Sequence, residues 1–241
     1  MTALSFTIGQ IHGVVVDFFF PCRCVECGTA GDFLCLKCRQ QLPRILPPFC
    51  RRCGKPETSG DFCSSCWGAH TAIDGIRSPF HYDGVIRRAI LELKYHNLKA
   101  ISACLAELLA AYIQSTSVPG EVIAPVPLHP RRMRKRGYNQ SGLLAHQLGK
   151  LTALPVVDDC LARFKDSLPQ ARTTTADARR KNVADAFACR NRKFDGKHVI
   201  LVDDVCTSGA TLEACAVALK SGGAASVWGL TLARETKGGD K

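Results

Sequence analysis

The sequence predicts an α/β fold, in which a doubly wound and mostly parallel sheet follows a small cysteine-rich domain. Three observations support this prediction. After residue 70, short apolar runs alternate with helical patterns, an order that places helices on both faces of a parallel sheet. Four successive apolar residues at 199–202 are typical of a buried central strand. Near the start of the chain, four Cys-x-x-Cys pairs occur within 43 residues.

Length and composition fit a globular chain with two domains. At 241 residues the chain can form one substantial core and a small additional domain. We place the cysteine-rich domain at residues 1–70 and the α/β domain at residues 71–241, because the stretch from 67 to 75 is polar. The apolar run from 14 to 20 is short and contains Asp17. We therefore expect neither a membrane span nor a signal peptide, and predict a cytoplasmic protein.

The cysteine pattern indicates metal binding. Of the 14 cysteines, eight form the pairs Cys24/Cys27, Cys35/Cys38, Cys50/Cys53 and Cys63/Cys66. In a chain without a secretion signal such pairs favour metal over disulfides, and two pairs complete a tetrahedral zinc site. A redox Cys-x-x-Cys motif normally occurs once, so four copies also favour zinc. We predict two structural zinc ions, which would stabilise a domain too small to have a large core.

The spacing of the pairs leaves the pairing scheme open. Seven residues separate the first two pairs, nine separate the last two, and eleven separate the two sets. This spacing favours two consecutive zinc ribbons, with one ion for each set. A cross-braced scheme would instead join the first pair to the third and the second pair to the fourth. Gly28 and Gly54 suit the tight turns of either scheme.

Periodicity predicts the elements of the α/β domain. Apolar residues at helical spacing predict helices at 85–95, 101–113 and 141–151. Apolar runs predict strands at 78–82, 121–126, 155–157, 186–188, 199–202 and 226–231. Because ligands of open α/β sheets bind at the carboxyl ends of the strands, the residues that follow these strands are the candidates for a site.

Two acidic residues and a loop of small residues follow the central strand. Asp203 and Asp204 end the strand, and their carboxylates suit ribose hydroxyls or Mg²⁺. The next residues offer hydroxyls and free backbone N–H groups at a helix N-terminus, an arrangement that binds phosphate. They are Thr207, Ser208, Gly209, Ala210 and Thr211. Acidic pairs also occur as ordinary helix caps, but the whole string favours a sugar-phosphate site. A Walker loop would need a Lys after its last Gly and a Rossmann loop would need three spaced glycines, and the string has neither.

Positive charge is concentrated in one part of the chain. The net charge is +11, and between residues 131 and 200 Lys and Arg outnumber Asp and Glu by 10 (16 against 6). Such a concentration predicts a polyanionic partner, either pyrophosphate in a pocket or nucleic acid on a surface. Residues 131–136 include five basic side chains and no acid. We expect these residues to form an ordered βα loop that faces an anion bound near Asp203.

Two motifs resemble known families. The string at 203–211 resembles the phosphoribosyl pyrophosphate loop of type I phosphoribosyltransferases. Residues 125–140 are similar to the Pro-x-Pro-Leu-His-x-x-Arg-x-x-x-Arg-Gly-Phe-Asn-Gln signature of the ComF family, competence-related proteins with a zinc ribbon and a phosphoribosyltransferase fold, although Tyr138 replaces the usual Phe. Leu93-Lys94-Tyr95 resembles that family's Leu-Lys-Tyr element. The resemblance covers the chain from about Cys22 to Arg234.

The resemblance implies that the protein binds phosphoribosyl pyrophosphate together with Mg²⁺. Asp203 and Asp204 would contact the ribose, and the loop from Thr207 to Thr211 would hold the 5′-phosphate. An active transferase would displace pyrophosphate with a nitrogen nucleophile, while cationic side chains neutralise the leaving group. The cations implied for this role are Arg131 and Arg136, with Arg179 or Arg180 as further candidates. The other implied ligand-binding residues are Lys94, Tyr95 and His129.

The region around residues 166–182 departs from the family pattern, which is Gln, a Thr-Gly-Leu-like element and then Arg-x-x-Asn-Val. This chain has Gln170, no leucine after it in that region, and the string Arg179-Arg180-Lys181-Asn182-Val183 with about one extra residue between. In phosphoribosyltransferases the region corresponds to the flexible loop that closes over the reaction. ComF proteins are associated with natural transformation, which makes a non-enzymatic module the alternative. Such a module would bind single-stranded DNA through the basic segment, or competence-machinery proteins through the zinc domain. Its sugar-phosphate site would then be vestigial or act as a sensor.

Overall fold

The computed structural model describes residues 22–57, 61–164 and 186–235. The helices in these ranges are α1 (Leu36–Gln40), α2 (Gly84–Tyr95), α3 (Ile101–Ser115), α4 (Pro130–Arg136), α5 (Gln140–Thr152) and α6 (Ala210–Ser221). The strands are β1 (Gly75–Arg77), β2 (Phe80–His81), β3 (Val122–Pro125), β4 (Leu161–Arg163), β5 (Phe187–Cys189), β6 (His198–Cys206) and β7 (Ser226–Arg234). None of the helices in these ranges has both the length and the apolar character needed to cross a bilayer.

Five strands form one parallel sheet. Its order is β1-β7-β6-β3, and β2 pairs with the far end of β7 beside β1. Strand β6 lies between two partners, since Val199 pairs with Val122 of β3 on one side and with Val227 of β7 on the other. The predicted parallel sheet with a central Asp203 strand is therefore confirmed.

Helices cover both faces of this sheet because alternate residues of β6 point in opposite directions. Ile200 and Val202 contribute to the core under α2, α3 and α5. Val199 and Leu201 contribute to a second core under α6. All four side chains are buried, as the run of apolar residues predicts.

Three predicted elements have a different form in the structure, and α1, β1 and β4 were not predicted. The predicted strand at 155–157 makes only an isolated parallel bridge, between Val156 and Ile123. The predicted strand at 186–188 is β5, which pairs antiparallel with β4 outside the main sheet, because a short apolar run does not specify its partner. The predicted basic loop at 131–136 is helix α4, for which His129 is the N-cap, Pro130 the first residue and Gly137 the left-handed C-cap.

The hydrophobic core crosses the boundary that we placed at residue 70. Leu34, Cys38 and Leu42 belong to the same cluster of buried residues as α2 and α3. Backbone hydrogen bonds join the two parts as well, since the Ile45 N–H donates to the Pro79 carbonyl at 2.8 Å and the His81 N–H donates to the Pro43 carbonyl at 2.8 Å. The cysteine-rich region is thus packed on the α/β domain.

Replacement of Leu34 by Ala is expected to destabilise the α/β domain as well as the ribbon. Leu34 is 0% exposed in the shared core, so its truncation should lower the free energy of unfolding by about 2–5 kcal/mol. The measurement is urea unfolding followed by Trp228 fluorescence in a Trp67→Phe background, since the chain has 2 tryptophans. The matched control is Leu36→Ala, because Leu36 lies two residues further along the chain and is 78% exposed. A Trp228 transition that Leu34→Ala leaves unchanged would contradict the shared core.

Candidate functional site

The eight paired cysteines form two compact groups. Within each group the four sulfur atoms lie within 4.8 Å of one another; the members are Cys24, Cys27, Cys35 and Cys38 in the first group, and Cys50, Cys53, Cys63 and Cys66 in the second. Sulfur–sulfur distances of 3.6 Å in the first group and 3.7 Å in the second are close to the ~3.8 Å separation of a tetrahedral zinc site with 2.3 Å bonds. The donor sets fit two structural zinc ions in the sequential scheme, and the cross-braced scheme is wrong.

Glycine shapes the turn of one pair in each group. The Gly28 N–H donates to the Cys24 carbonyl at 2.8 Å, and the Gly54 N–H donates to the Cys50 carbonyl at 2.9 Å. Both glycines have positive φ, at 75° and 69°. This backbone conformation is costly for other residues, so the two glycines favour the turn that brings both sulfur atoms of a pair to one ion.

A cavity of about 960 Å³ lies at the carboxyl end of β6. Its wall includes the acidic pair, most of the small-residue loop, Lys94 and Tyr95 of α2, and Arg136 of α4. Ligands of open α/β sheets bind at this edge, where the loops after the strands converge. The cavity therefore brings together motifs that lie up to 117 residues apart in the sequence, from Lys94 to Thr211.

The two carboxylates have different partners. Asp203 Oδ1 accepts a hydrogen bond from Ser141 Oγ at 2.7 Å and another from the Asp204 backbone N–H at 2.9 Å. Asp204 is 4% exposed, and its Oδ1 lies 2.6 Å from Lys94 Nζ. Asp204 Oδ2 is buried and has no hydrogen-bond partner among the described residues. One acceptor atom of the pair is thus available for a ligand or a metal ion.

Burial and mutual repulsion control the charge of the pair. Burial, and then the neighbouring Asp204 charge, raise the pKa of Asp203 to about 7, although the Ser141 hydrogen bond and the Lys94 charge act in the opposite direction. Burial disfavours the charged form of Lys94, but the Asp204 carboxylate outweighs this effect and the pKa of Lys94 is raised. Lys94 therefore remains a cation and compensates part of the acidic charge.

The segment Tyr138 to Ser141 holds the site together. The Tyr138 hydroxyl donates to the Leu93 carbonyl, next to Lys94. Asn139 Nδ2 donates to the Val126 carbonyl at 3.0 Å, and Asn139 Oδ1 accepts from the Ser141 N–H at 3.2 Å as the N-cap of α5. Gln140 Oε1 accepts a hydrogen bond from Arg136. Each residue of this segment thus fixes a different part of the cavity wall.

The small-residue loop ends at the N-terminus of α6. Gly209 has a φ of 81°, and Ser208 Oγ accepts a hydrogen bond from the Ala210 N–H at 3.4 Å. The first N–H groups of a helix have no partner within the helix, so they are available to an anion. Thr207, Gly209, Ala210 and Thr211 line the cavity, whereas Ser208 is exposed beside it.

Helix α4 divides its basic side chains between two directions. Arg132, Lys135 and Arg136 line the same cavity as the acidic pair. Arg131 and Arg134 are exposed and are not part of the cavity wall. His129 also lies outside the wall, where its Nδ1 accepts a hydrogen bond from the Arg131 N–H at 3.2 Å. Of the three predicted residues Arg131, Arg136 and His129, the structure therefore places only Arg136 in the wall of the cavity.

Sequence reasoning did not identify Ser141 as a site residue, and it did not single out Arg132 and Lys135 within the basic segment. The helical period of α4 is the signal that could have selected the two cations, because positions 132, 135 and 136 share one face of a helix. For Ser141 no local signal exists, since its contact with Asp203 spans 62 residues. The predicted candidates Gln170, Arg179 and Arg180 lie outside the described residues.

The parallel sheet, the acidic pair and the loop before α6 define a phosphoribosyltransferase domain that follows two zinc ribbons. Family comparison agrees, since a double zinc ribbon domain matches residues 15–70 and a phosphoribosyl transferase domain matches residues 134–240. Competence protein F of Haemophilus influenzae is 32% identical over 230 residues, which cover 89% of this chain and 99% of that protein. The chain therefore belongs to the ComF family.

Two further relatives and one solved structure are less similar to this chain. Competence protein ComFC of Bacillus subtilis is 28% identical over 83% of this chain and 84% of its own length. The DNA utilization protein YhgH of Escherichia coli K12 is 27% identical over 80% of this chain and 87% of its own length. Among solved structures, the glutamine phosphoribosylpyrophosphate amidotransferase of B. subtilis aligns with 58% of this chain and 30% of its own, at 19% identity and a TM-score of 0.41.

Loss of Lys94 is expected to destabilise the fold by leaving Asp204 buried without a counter-charge. The side chains of this pair are 17% and 5% exposed, so Lys94→Met should cost about 3–5 kcal/mol of unfolding free energy. The double variant Lys94→Met/Asp204→Asn should be more stable than Lys94→Met, because it also removes the uncompensated charge. Urea unfolding at neutral pH measures both. The control is Lys193→Met, which breaks an exposed pair with Asp159. Equal costs at Lys94 and Lys193 would contradict the role of burial.

Proposed function

We propose that the cavity binds phosphoribosyl pyrophosphate together with Mg²⁺. The observation that carries this proposal is that one cavity holds the acidic pair together with two groups suited to anions. The loop before α6 and the α4 cations Arg132, Lys135 and Arg136 line the same cavity as Asp203 and Asp204. Phosphoribosyl pyrophosphate has a matching set of groups, with a ribose between a 5′-phosphate and a pyrophosphate.

The 5′-phosphate is assigned to the loop from Thr207 to Thr211. Free N–H groups and the N-terminal end of the α6 dipole favour a compact anion there. The left-handed Gly209 is suited to such a loop, because a Cβ at this position would lie 3.1 Å from Ile76 Cδ1. No basic side chain is needed in this loop, since backbone groups supply the hydrogen bonds.

The pyrophosphate is assigned to Arg132, Lys135 and Arg136. These three cations replace the pair of arginines expected from the sequence, because Arg131 lies outside the cavity wall. The ribose hydroxyls are assigned to Asp203 and Asp204. The unpartnered Asp204 Oδ2 fits a Mg²⁺ ion or its bound water, since carboxylate oxygens are the ligands this ion prefers. When bound, Mg²⁺ would neutralise charge on the pyrophosphate.

The cellular role that we propose is DNA uptake in the cytoplasm. Its support is the family, since two relatives are named as competence proteins and another as a DNA utilization protein. The zinc ribbons would then offer a surface to other proteins of the competence machinery. A phosphoribosyl group bound in the cavity would act either as substrate or as a signal.

A second candidate function is the binding of single-stranded DNA on the outer side of α4. Arg131 and Arg134 are exposed, lie outside the cavity and have no salt bridge within the described part of the chain. Exposed arginines of this kind are suited to backbone phosphates, whose neutralisation makes binding depend on salt. This function would use a different face of the helix from the phosphoribosyl site.

Calorimetric titration with phosphoribosyl pyrophosphate and Mg²⁺ tests the first function. The unchanged protein should bind, and the variant Asp203→Asn/Asp204→Asn should show no binding because the ribose contacts are lost. Ser141→Ala should weaken binding about 10-fold, since Asp203 loses a charge-assisted hydrogen bond. The control is Asp159→Asn, an exposed acid outside the cavity. Absence of binding by the unchanged protein, or unaltered binding by the double variant, would refute the proposal.

Fluorescence anisotropy with a labelled thymidine oligonucleotide tests the second function. Replacement of Arg131 and Arg134 by Ala should weaken binding and reduce the slope of log affinity against log salt by about 1.4, because each lost phosphate contact contributes about 0.7. The same variant should retain its affinity for phosphoribosyl pyrophosphate. Arg132→Ala/Lys135→Ala is the matched control, in which the opposite pattern is expected. If both variants bound DNA equally well, the outer face of α4 would not be the contact.

A further inference from the structure

Ile76 of β1 lies close to both the second cysteine group and the loop before α6. Its N–H donates to the carbonyl of Arg52, a residue between two cysteines of this group, at 2.7 Å. Gly54 packs so closely that a Cβ at this position would lie 2.5 Å from the Ile76 carbonyl oxygen. The Ile76 side chain is buried, and its Cδ1 would lie 3.1 Å from a Cβ added to Gly209. The same residue therefore contacts the second zinc ribbon through its backbone and approaches the loop through its side chain.

Residues 67–74 form a second connection between these two sites. We call them the connector, because they lead from Cys66, the last cysteine of the second group, to β1. Arg52 Nη1 donates to the Cys66 carbonyl at 2.8 Å and to the Ala69 carbonyl at 2.5 Å. Arg52 thus fixes the start of the connector with its side chain and contacts β1 with its backbone.

Glu213 fixes the other end of the connector to α6. Its Oε1 accepts a hydrogen bond from the Ala72 N–H at 2.7 Å, and its Oε2 accepts one from the Ile73 N–H at 3.2 Å. Glu213 lies in the first turn of α6, where its own N–H donates to the Gly209 carbonyl at 2.9 Å. The carboxylate therefore joins the connector to the helical turn that follows the loop.

The two sites place different demands on these contacts. A ribbon of this size gains much of its folding free energy from its metal ion, so the Arg52 contacts depend on zinc in the second group. Anion binding depends on position, because the N–H groups of the loop and of the first turn of α6 must converge on one point. A ribbon that unfolds without its ion would release Ile76 and the connector, and with them two supports of the loop.

We propose that the second zinc site positions the loop before α6, and that Ile76 and Glu213 are the positioning residues that transmit this effect. The loop then binds its anion tightly only while the second group holds zinc, and a bound anion in turn stabilises zinc binding by the same factor. This consequence rests on the proposed function, in which the loop holds the 5′-phosphate. The first group has no such effect, since its ribbon packs on α2 and α3 instead.

Calorimetry with phosphoribosyl pyrophosphate and Mg²⁺ tests the role of Glu213. Glu213→Ala should weaken binding about 10-fold, within the usual range of coupling between sites. The sign is diagnostic, because loss of a negative charge near an anion would by itself strengthen binding. Glu213→Gln keeps one acceptor for the connector and should retain most of the affinity. The matched control is Glu107→Ala, which removes a carboxylate contact between the first ribbon and α3 and should leave the affinity unchanged.

Zinc release from the full chain tests the same coupling from the other side. Release is started with tetrakis(2-pyridylmethyl)ethylenediamine, a chelator that prefers Zn²⁺ to Mg²⁺, and iodoacetamide alkylation with peptide mass spectrometry identifies the cysteines that lose the ion. Phosphoribosyl pyrophosphate with Mg²⁺ should slow release from the second group about 10-fold and leave the first group unchanged. In Glu213→Ala the ligand should no longer slow release. Equal slowing at both groups, or none at the second, would overturn the inference.

Hydrogen exchange without any ligand separates this inference from the proposed function. Glu213→Ala, and removal of zinc from the second group, should each speed exchange in residues 207–213, whereas Glu107→Ala should not. Exchange of β6 reports whether the sheet remains folded, and if zinc removal unfolds it, Glu213→Ala against Glu107→Ala decides the matter. Faster exchange in a protein that binds no phosphoribosyl pyrophosphate would refute the proposed function alone. Unchanged exchange of residues 207–213 in Glu213→Ala would refute the positioning role, whether or not that ligand binds.

Discussion

The ion pair between Lys94 and Asp204 is the interaction on which the candidate site depends. Asp204 lies at the end of the central strand, where it has almost no access to water, so its charge requires a partner. Lys94 meets that requirement only if α2 ends beside β6. The Tyr138 hydroxyl fixes this position through the Leu93 carbonyl, and Ser141 of the same segment holds Asp203. The buried charge of Asp204 thus constrains how the acidic pair, the end of α2 and the segment Tyr138 to Ser141 are arranged around the cavity.

The two zinc ribbons differ in how they join this framework. The first shares its apolar residues with α2 and α3, so hydrophobic burial connects it to the helices that carry Lys94. The second contacts the sheet edge through β1, where the Ile76 N–H donates to the Arg52 carbonyl and Arg77 lies over the Phe49 ring. Metal binding, packing and sheet formation therefore stabilise the same structure. The zinc region differs in this respect from an independent domain on a flexible linker.

Much of the fold could be predicted because its signals are local. Three motifs can be recognised from a few neighbouring residues each: the four Cys-x-x-Cys pairs, the apolar run at 199–202 and the acidic pair. The basic segment was more difficult. Its positive charge indicated that it binds an anionic ligand. Its conformation, however, is a helix whose ends are capped at His129 and Gly137. In this helix Arg132 lines the cavity and Arg131 does not. A period of 3.6 residues thus decided which cations line the site.

The sequence by itself determined the class of fold, the ligands of both metal sites, and the presence of an acidic pair and a small-residue loop after a central strand. These properties follow from side-chain chemistry and short-range periodicity. The tertiary structure alone decided the sequential zinc pairing, the contact of Ser141 with Asp203, the pairing of Lys94 with Asp204, and the contact of the second cysteine group with β1. Most of these depend on residues far apart in the chain, whose proximity is set by how helices and ribbons pack on the sheet.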